Sequence, residues 1–159
     1  MHSERRQEFE QKVLNGDTAA IRRFTTEIRA NQKSNDPEVL TVLLEALQNA
    51  QGIGKRIIIQ SLPMVPEIEA VLVRLLETGY SYTQSMDGFV QEDAVQKLEK
   101  LAIPTALAAI RIWTIGALAA GESHRHYACV GLRSLANDGD KIIALPILGG
   151  LHREYRRSA

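Results

Sequence analysis

The stretch ESHRHYAC, residues 122–129, gathers two of the four histidines and the single cysteine of the chain. Histidine, cysteine and glutamate at close spacing can hold zinc or build an activated nucleophile. Helical geometry decides what they can do together. His124 and His126 are two residues apart, so on a helix they point about 200° apart and cannot share one metal. His126 and Cys129 share a face, and Glu122 lies one turn before His126. That set is incomplete, because a structural zinc takes four ligands. Cys129 with His126 is also the only nucleophile–base pair the sequence places together, and nothing around it activates the thiol. The stretch is therefore read as the polar first turn of a helix. No catalytic residue, metal or cofactor is assigned.

Other candidates resolve the same way. GIGKR, residues 52–56, resembles part of a phosphate loop, but no apolar strand precedes it and the full glycine spacing is missing. The acidic pairs Glu92–Asp93 and Glu67/Glu69 fall at expected helix starts, where the helix dipole explains them. Trp113 lies in the most apolar stretch, residues 103–121, and is expected in the core. That stretch sits at the lower edge of bilayer-spanning length and carries Arg111 near its middle. It reads as a central buried helix, not a membrane span.

The elements that would position these residues are helices. Apolar residues recur at helical spacing, as at Ile21, Phe24 and Ile28, and no stretch alternates convincingly like a strand. Start and stop residues agree with the spacing: Ser3, Asp17 and Asp36 as caps, Pro37, Pro66 and Pro104 at first turns, and Gly16 and Gly79 as stops. The segment KRIIIQSL reads as a short piece ending at Pro63, and DKIIALPILGGLHREYRR as a last helix capped by Asp140. With 159 residues, 45% of them hydrophobic and 5% aromatic, the expectation is one all-α domain spanning residues 1–159.

Two of the helix starts resemble each other. DPEVLTVLLEAL and ESHRHYACVGL each open on an acidic residue and end on a small residue followed by leucine, Ala46–Leu47 and Gly131–Leu132. Each is followed by a break and a proline-led helix. This resembles the bacterial short form of the HEAT repeat. Residues 122–151 fit best, through Arg125, Ala128, Gly131 and Leu132, with His124 where that family prefers valine. Residues 36–76 fit less well, because Leu40 replaces the arginine and residues 52–63 stretch the unit. The resemblance implies a short α-solenoid of about four antiparallel helix pairs, in which each pair covers its neighbour's apolar stripe. In that repeat Arg125 is expected to bond a neighbouring carboxylate or a loop carbonyl, and Cys129 to face the core as a small hydrophobe.

Charge constrains the partner. Lys plus Arg and Asp plus Glu number 19 each, so the net charge is zero and a general nucleic-acid binder is disfavoured. Residues 66–99 are acidic and residues 100–159 basic, a division that solvated helix faces explain. The single cysteine fits a reducing compartment, and the charged start MHSERRQEFEQ shows no signal-peptide pattern, so a cytoplasmic protein is expected. The function expected is a non-enzymatic interaction module whose partner is an unidentified protein or a second copy of the chain, with no membrane role. The exposed break at residues 80–88 and the basic tail supply the expected contacts: Tyr80, Tyr82, Met86, Arg153, Arg156 and Arg157. Two other readings are a subunit of a lyase or other modifying enzyme, similar to HEAT-like phycobilin lyases, with a small molecule held near Trp113 and Cys129, and a nucleic-acid binder using the C-terminal arginines.

Overall fold

A computed structural model describes residues 3–30, 36–77, 80, 87–101 and 103–136. The described elements are helical: α1 Ser3–Leu14, α2 Thr18–Ala30, α3 Pro37–Asn49, α4 Gly52–Ser61, α5 Glu69–Glu77, α6 Asp87–Leu101, α7 Pro104–Ala119 and α8 Arg125–Ala136. Short 3-10 turns, Pro66–Ile68 and Glu122–His124, lead into α5 and α8. Among the described residues no helix is long and apolar enough to cross a membrane. The last helix expected from the sequence, with its Asp140 cap, lies outside the described residues.

Local chemistry sets most helix starts. Asp36 accepts from the Glu38 amide at 2.9 Å and Pro37 takes the first turn of α3, where a missing N–H costs nothing. Asp17 caps α2 by accepting from the Ala20 amide at 3.0 Å. That backbone bond, with Lys12 and Arg23 nearby, holds the Asp17 carboxyl below its ordinary range. A depressed carboxyl stabilises the fold above its unfolded pKa and loses that contribution as pH falls through its folded pKa. Acidification should therefore shift the Ala20 amide resonance with a midpoint below that of a free aspartate. A midpoint at the free value would remove Asp17 as the cap.

One element is longer than the sequence suggests. KRIIIQSL belongs to a full helix, α4, and Gly52 opens it with φ +49° instead of merely ending α3. The reason is burial on two sides. Ile57, Ile58 and Ile59 are all buried, because α4 packs against both α2 and α6. Consecutive apolar residues on a helix covered twice hide the 3.6-residue period.

Two rows of helices follow from the contacts. The even-numbered helices touch in order, α2 on α4, α4 on α6, α6 on α8. Among the odd-numbered ones α1 meets α3 and α5 meets α7. Successive helices α1–α2, α3–α4, α5–α6 and α7–α8 also pack together. One continuous core fills the space between, with Ile21, Ile58, Leu72, Leu98, Ile110 and Trp113 fully buried. The two look-alike helix starts thus sit differently: α3 belongs to the odd set and α8 to the even row.

Side chains join the even row rung by rung. Arg29 of α2 donates to the Gln60 carbonyl, and Lys97 of α6 donates to the Leu62 carbonyl at 2.5 Å. Both cations thereby cap the carbonyl end of α4, which carries partial negative charge. Burial, reinforced by Arg29 and Lys100, lowers the Lys97 pKa. Between α6 and α8, Ser134 donates to Glu99 at 2.9 Å.

Candidate functional site

Trp113 is completely buried, and its indole N–H donates to Gln91 Oε1 at 2.9 Å. Gln91 in turn donates to the Leu75 carbonyl at 3.1 Å, so α5, α6 and α7 meet at one buried amide. Tyr80 leans on this point. Its ring lies 6.0 Å from Trp113 and 5.4 Å from Tyr127, and its hydroxyl is 2.6 Å from His124 Nδ1. Gly116 accepts the close approach, because a Cβ there would lie 2.9 Å from the Tyr80 backbone nitrogen. Tyr80 is thus an inward, half-buried anchor of the α5–α6 connection, not a freely projecting contact. Of the other residues expected to meet a partner, Tyr82, Met86, Arg153, Arg156 and Arg157 lie outside the described residues.

The ESHRHYAC stretch is the 3-10 turn and the start of α8, and its chemical residues point apart. His124 goes to Tyr80, while His126 lies 3.2 Å from Glu92. Cys129 is exposed, which corrects its expected place in the core. It falls on the solvent side of α8, opposite the buried Tyr127, Ala128, Gly131 and Ser134. Trp113 has no exposed surface and Cys129 is exposed, so an open pocket lined by both is not formed. Among the described residues no three His, Cys, Asp or Glu side chains converge as metal ligands would.

Glu92 and Asp93 also differ from expectation. α6 begins at Asp87, so both lie beyond its first turn. Asp93 is buried and takes Arg56 Nε at 2.7 Å and Gln60 Nε2 at 3.1 Å. The paired carboxylate raises the Arg56 pKa. The same guanidinium covers the Phe89 ring at 5.1 Å. Removing one partner of a nearly buried pair strands the other charge. Arg56→Met should cost about 2–3 kcal/mol, below the ~3–5 kcal/mol of a fully buried pair because Arg56 is partly solvated. Urea unfolding would show it, and a cost under about 0.5 kcal/mol, the size of an ordinary surface change, would make the pair incidental.

These internal pairings leave the exposed charge on the even-numbered helices basic among the described side chains. α2, α4, α6 and α8 carry Arg22, Arg23, Arg29, Lys55, Arg56, Lys97, Lys100, Arg125 and Arg133 against Glu27, Asp87, Glu92, Asp93 and Glu99. Glu92, Asp93, Glu99 and Glu27 are engaged by His126, Arg56, Ser134 and Arg5. Arg22, Arg23, Lys100, Arg125 and Arg133 are exposed and form no ion pair with a described carboxylate. The even-numbered helices also expose the apolar side chains Ile53, Phe89 and Leu132. A hollow of about 520 Å³ beside α2 is lined by Thr18, Ala19, Arg22, Arg23, Thr26 and Glu27. A neighbouring groove of about 310 Å³ runs between α1 and α2 over Phe9, stacked on Phe24 at 3.8 Å. The odd helices do not share this excess. α1 is balanced, with Glu4, Glu8 and Glu10 against Arg5, Arg6 and Lys12, α3 carries only Glu38 and Glu45, α5 carries Glu69 and Glu77 against Arg74, and α7 carries Arg111 alone.

Sequence reading missed this face because it summed charge along the chain. The signal was present in the alternation: basic residues gather on every second helix, and a sum over helix parity would have found them. No family model matches the chain, and no curated protein or solved structure is significantly similar to it.

Proposed function

We propose that the chain is a non-enzymatic protein-interaction module, a short HEAT-like α-solenoid whose even-numbered helices take an acidic stretch of a protein partner. One observation carries this reading. Glu27, Glu92, Asp93 and Glu99 of the even row are engaged internally, while Arg22, Arg23, Lys100, Arg125 and Arg133 stay exposed across three of its four helices. The ordered contacts of α2, α4, α6 and α8 support the solenoid part, because stacked repeats touch their neighbours in turn. Arginine interleaved with aromatic and aliphatic side chains is the mixture that protein interfaces favour. Such a face steers an acidic partner and sets binding orientation.

The test is capture from a native lysate by the wild-type chain and by a variant carrying Arg22→Glu, Arg23→Glu, Arg125→Glu and Arg133→Glu. All four positions are exposed, so circular dichroism should match between the two. The expected result is an acidic protein held by the wild type, lost at high salt and missing from the variant. Nuclease-sensitive capture would move the reading to nucleic acid. Equal capture by both chains would contradict it.

A further inference from the structure

We propose that Arg29, Lys97 and Lys100 form an oxyanion site at the carbonyl end of α4, and that it takes the doubly charged phosphate of a phosphate monoester. α4 packs between α2 and α6, and a cation reaches its end from each side. Arg29, in the last turn of α2, donates to the Gln60 carbonyl. Lys97 of α6 donates to the Leu62 carbonyl at 2.5 Å. These carbonyls are two residues apart, so the guanidinium and the ammonium share one helix end. Lys100 follows Lys97 by three residues, on the same face of α6. Burial, and then the nearby charges of Arg29 and Lys100, lower the Lys97 pKa. Arg29 and Lys100 are exposed and Lys97 is partly so, which leaves the cluster open to an anion.

The ligand is argued from charge and donors. Among the described residues no carboxylate forms an ion pair with any of the three cations. α4 carries no acidic residue. Glu27 and Glu99 stand two residues from Arg29 and Lys97, on other faces of their helices, and are engaged by Arg5 and Ser134. Asp93, one turn before Lys97, is buried and held by Arg56 and Gln60. The carbonyl end of a helix supplies only about half a negative charge, so one cation would suffice to complement it. Three leave a surplus of about two charges or more. A phosphate monoester carries about −1.5 to −2 charges and three acceptor oxygens, whereas one carboxylate would leave part of the surplus unanswered. Arg29 and Lys97 each keep N–H donors beyond the one given to a carbonyl. A guanidinium fork beside an ammonium point charge suits phosphate. The site includes none of the four residues reversed in the capture test, so it does not rest on the acidic-partner reading and the two can fail separately.

The experiment titrates inorganic phosphate into the full isotope-labelled chain near neutral pH, with potassium chloride of equal ionic strength as the reference, and follows side-chain NMR signals. The expected result is saturable shifts at Arg29, Lys97 and Lys100 that chloride does not reproduce, with the Lys97 pKa rising as the anion binds. Lys100→Glu leaves both carbonyl contacts in place and should weaken phosphate binding at least about fivefold, since an exposed charge is worth a few-fold and the change reverses one. Arg111→Gln, an exposed cation on α7, should bind as the wild type does. A second arm uses an otherwise uncharged phosphoserine peptide and its unphosphorylated form. Binding of the phosphopeptide about tenfold or more tighter than phosphate would place the group on a protein; equal affinity would make a free phosphate compound the ligand. Shifts matched by chloride, affinity unchanged in Lys100→Glu, or equal binding of both peptides would overturn the proposal.

Discussion

Trp113→Ala is expected to destabilise the protein by about 3–5 kcal/mol, the range for removing a large buried aromatic. The indole is fully buried at the meeting of α5, α6 and α7, with Tyr80 and Tyr127 of α8 at its edges. Its loss opens a cavity and leaves Gln91 Oε1 without its donor. Unsatisfied buried acceptors add their own cost of about 1–3 kcal/mol. Trp113→Phe separates the two effects, since it fills most of the volume and supplies no N–H. Urea unfolding monitored by circular dichroism would measure both. A Trp113→Ala cost below about 1 kcal/mol, the typical point-mutation effect, would mean that the three helices do not share this centre.

Gly131→Val is the second large effect. α7 and α8 cross so closely that a Cβ on Gly131 would lie 2.0 Å from Thr114 Oγ1 and 2.9 Å from Thr114 Cβ. Thr114 cannot turn away freely, because it is buried and donates to the Ile110 carbonyl at 2.7 Å. Overpacking such a crossing costs typically about 1–3 kcal/mol and sometimes more, so valine should cost about 3 kcal/mol or more. Gly131→Ala is the sharper diagnostic. In a helix this change ordinarily gains about 1 kcal/mol from propensity. Here the sign should reverse. Adding Thr114→Ala should recover part of the loss, a non-additivity expected only of touching residues. A stabilised Gly131→Ala would mean that the two helices stand further apart.

The all-helical fold was legible because caps and prolines announced themselves. Asp17, Asp36, Pro37 and Pro104 all act where their chemistry predicts. α4 was harder, since burial from two sides replaced a periodic stripe with three consecutive isoleucines. Trp113 was placed correctly from its apolar surroundings, but its tie to Gln91 spans 22 residues and left no local trace. Cys129 was misplaced because a lone cysteine gives no sign of which way it faces, while its helix turns Tyr127 and Ala128 inward. The basic face was invisible for a different reason. Its arginines are divided among helices that alternate with ones lacking a basic excess, acidic in α3 and α5, so a window moving along the chain averages them away.

Binding by these exposed cations can be measured without knowing the natural partner. The chain is 17.6 kDa, a size at which backbone amides resolve well by NMR. A glutamate-rich peptide would be titrated into labelled protein at low salt. Shifts should concentrate at Arg22, Arg23, Lys100, Arg125 and Arg133 and fade as salt is raised. Shifts confined to α3, α5 or α7, or none at all, would contradict the proposed role of the even-numbered helices.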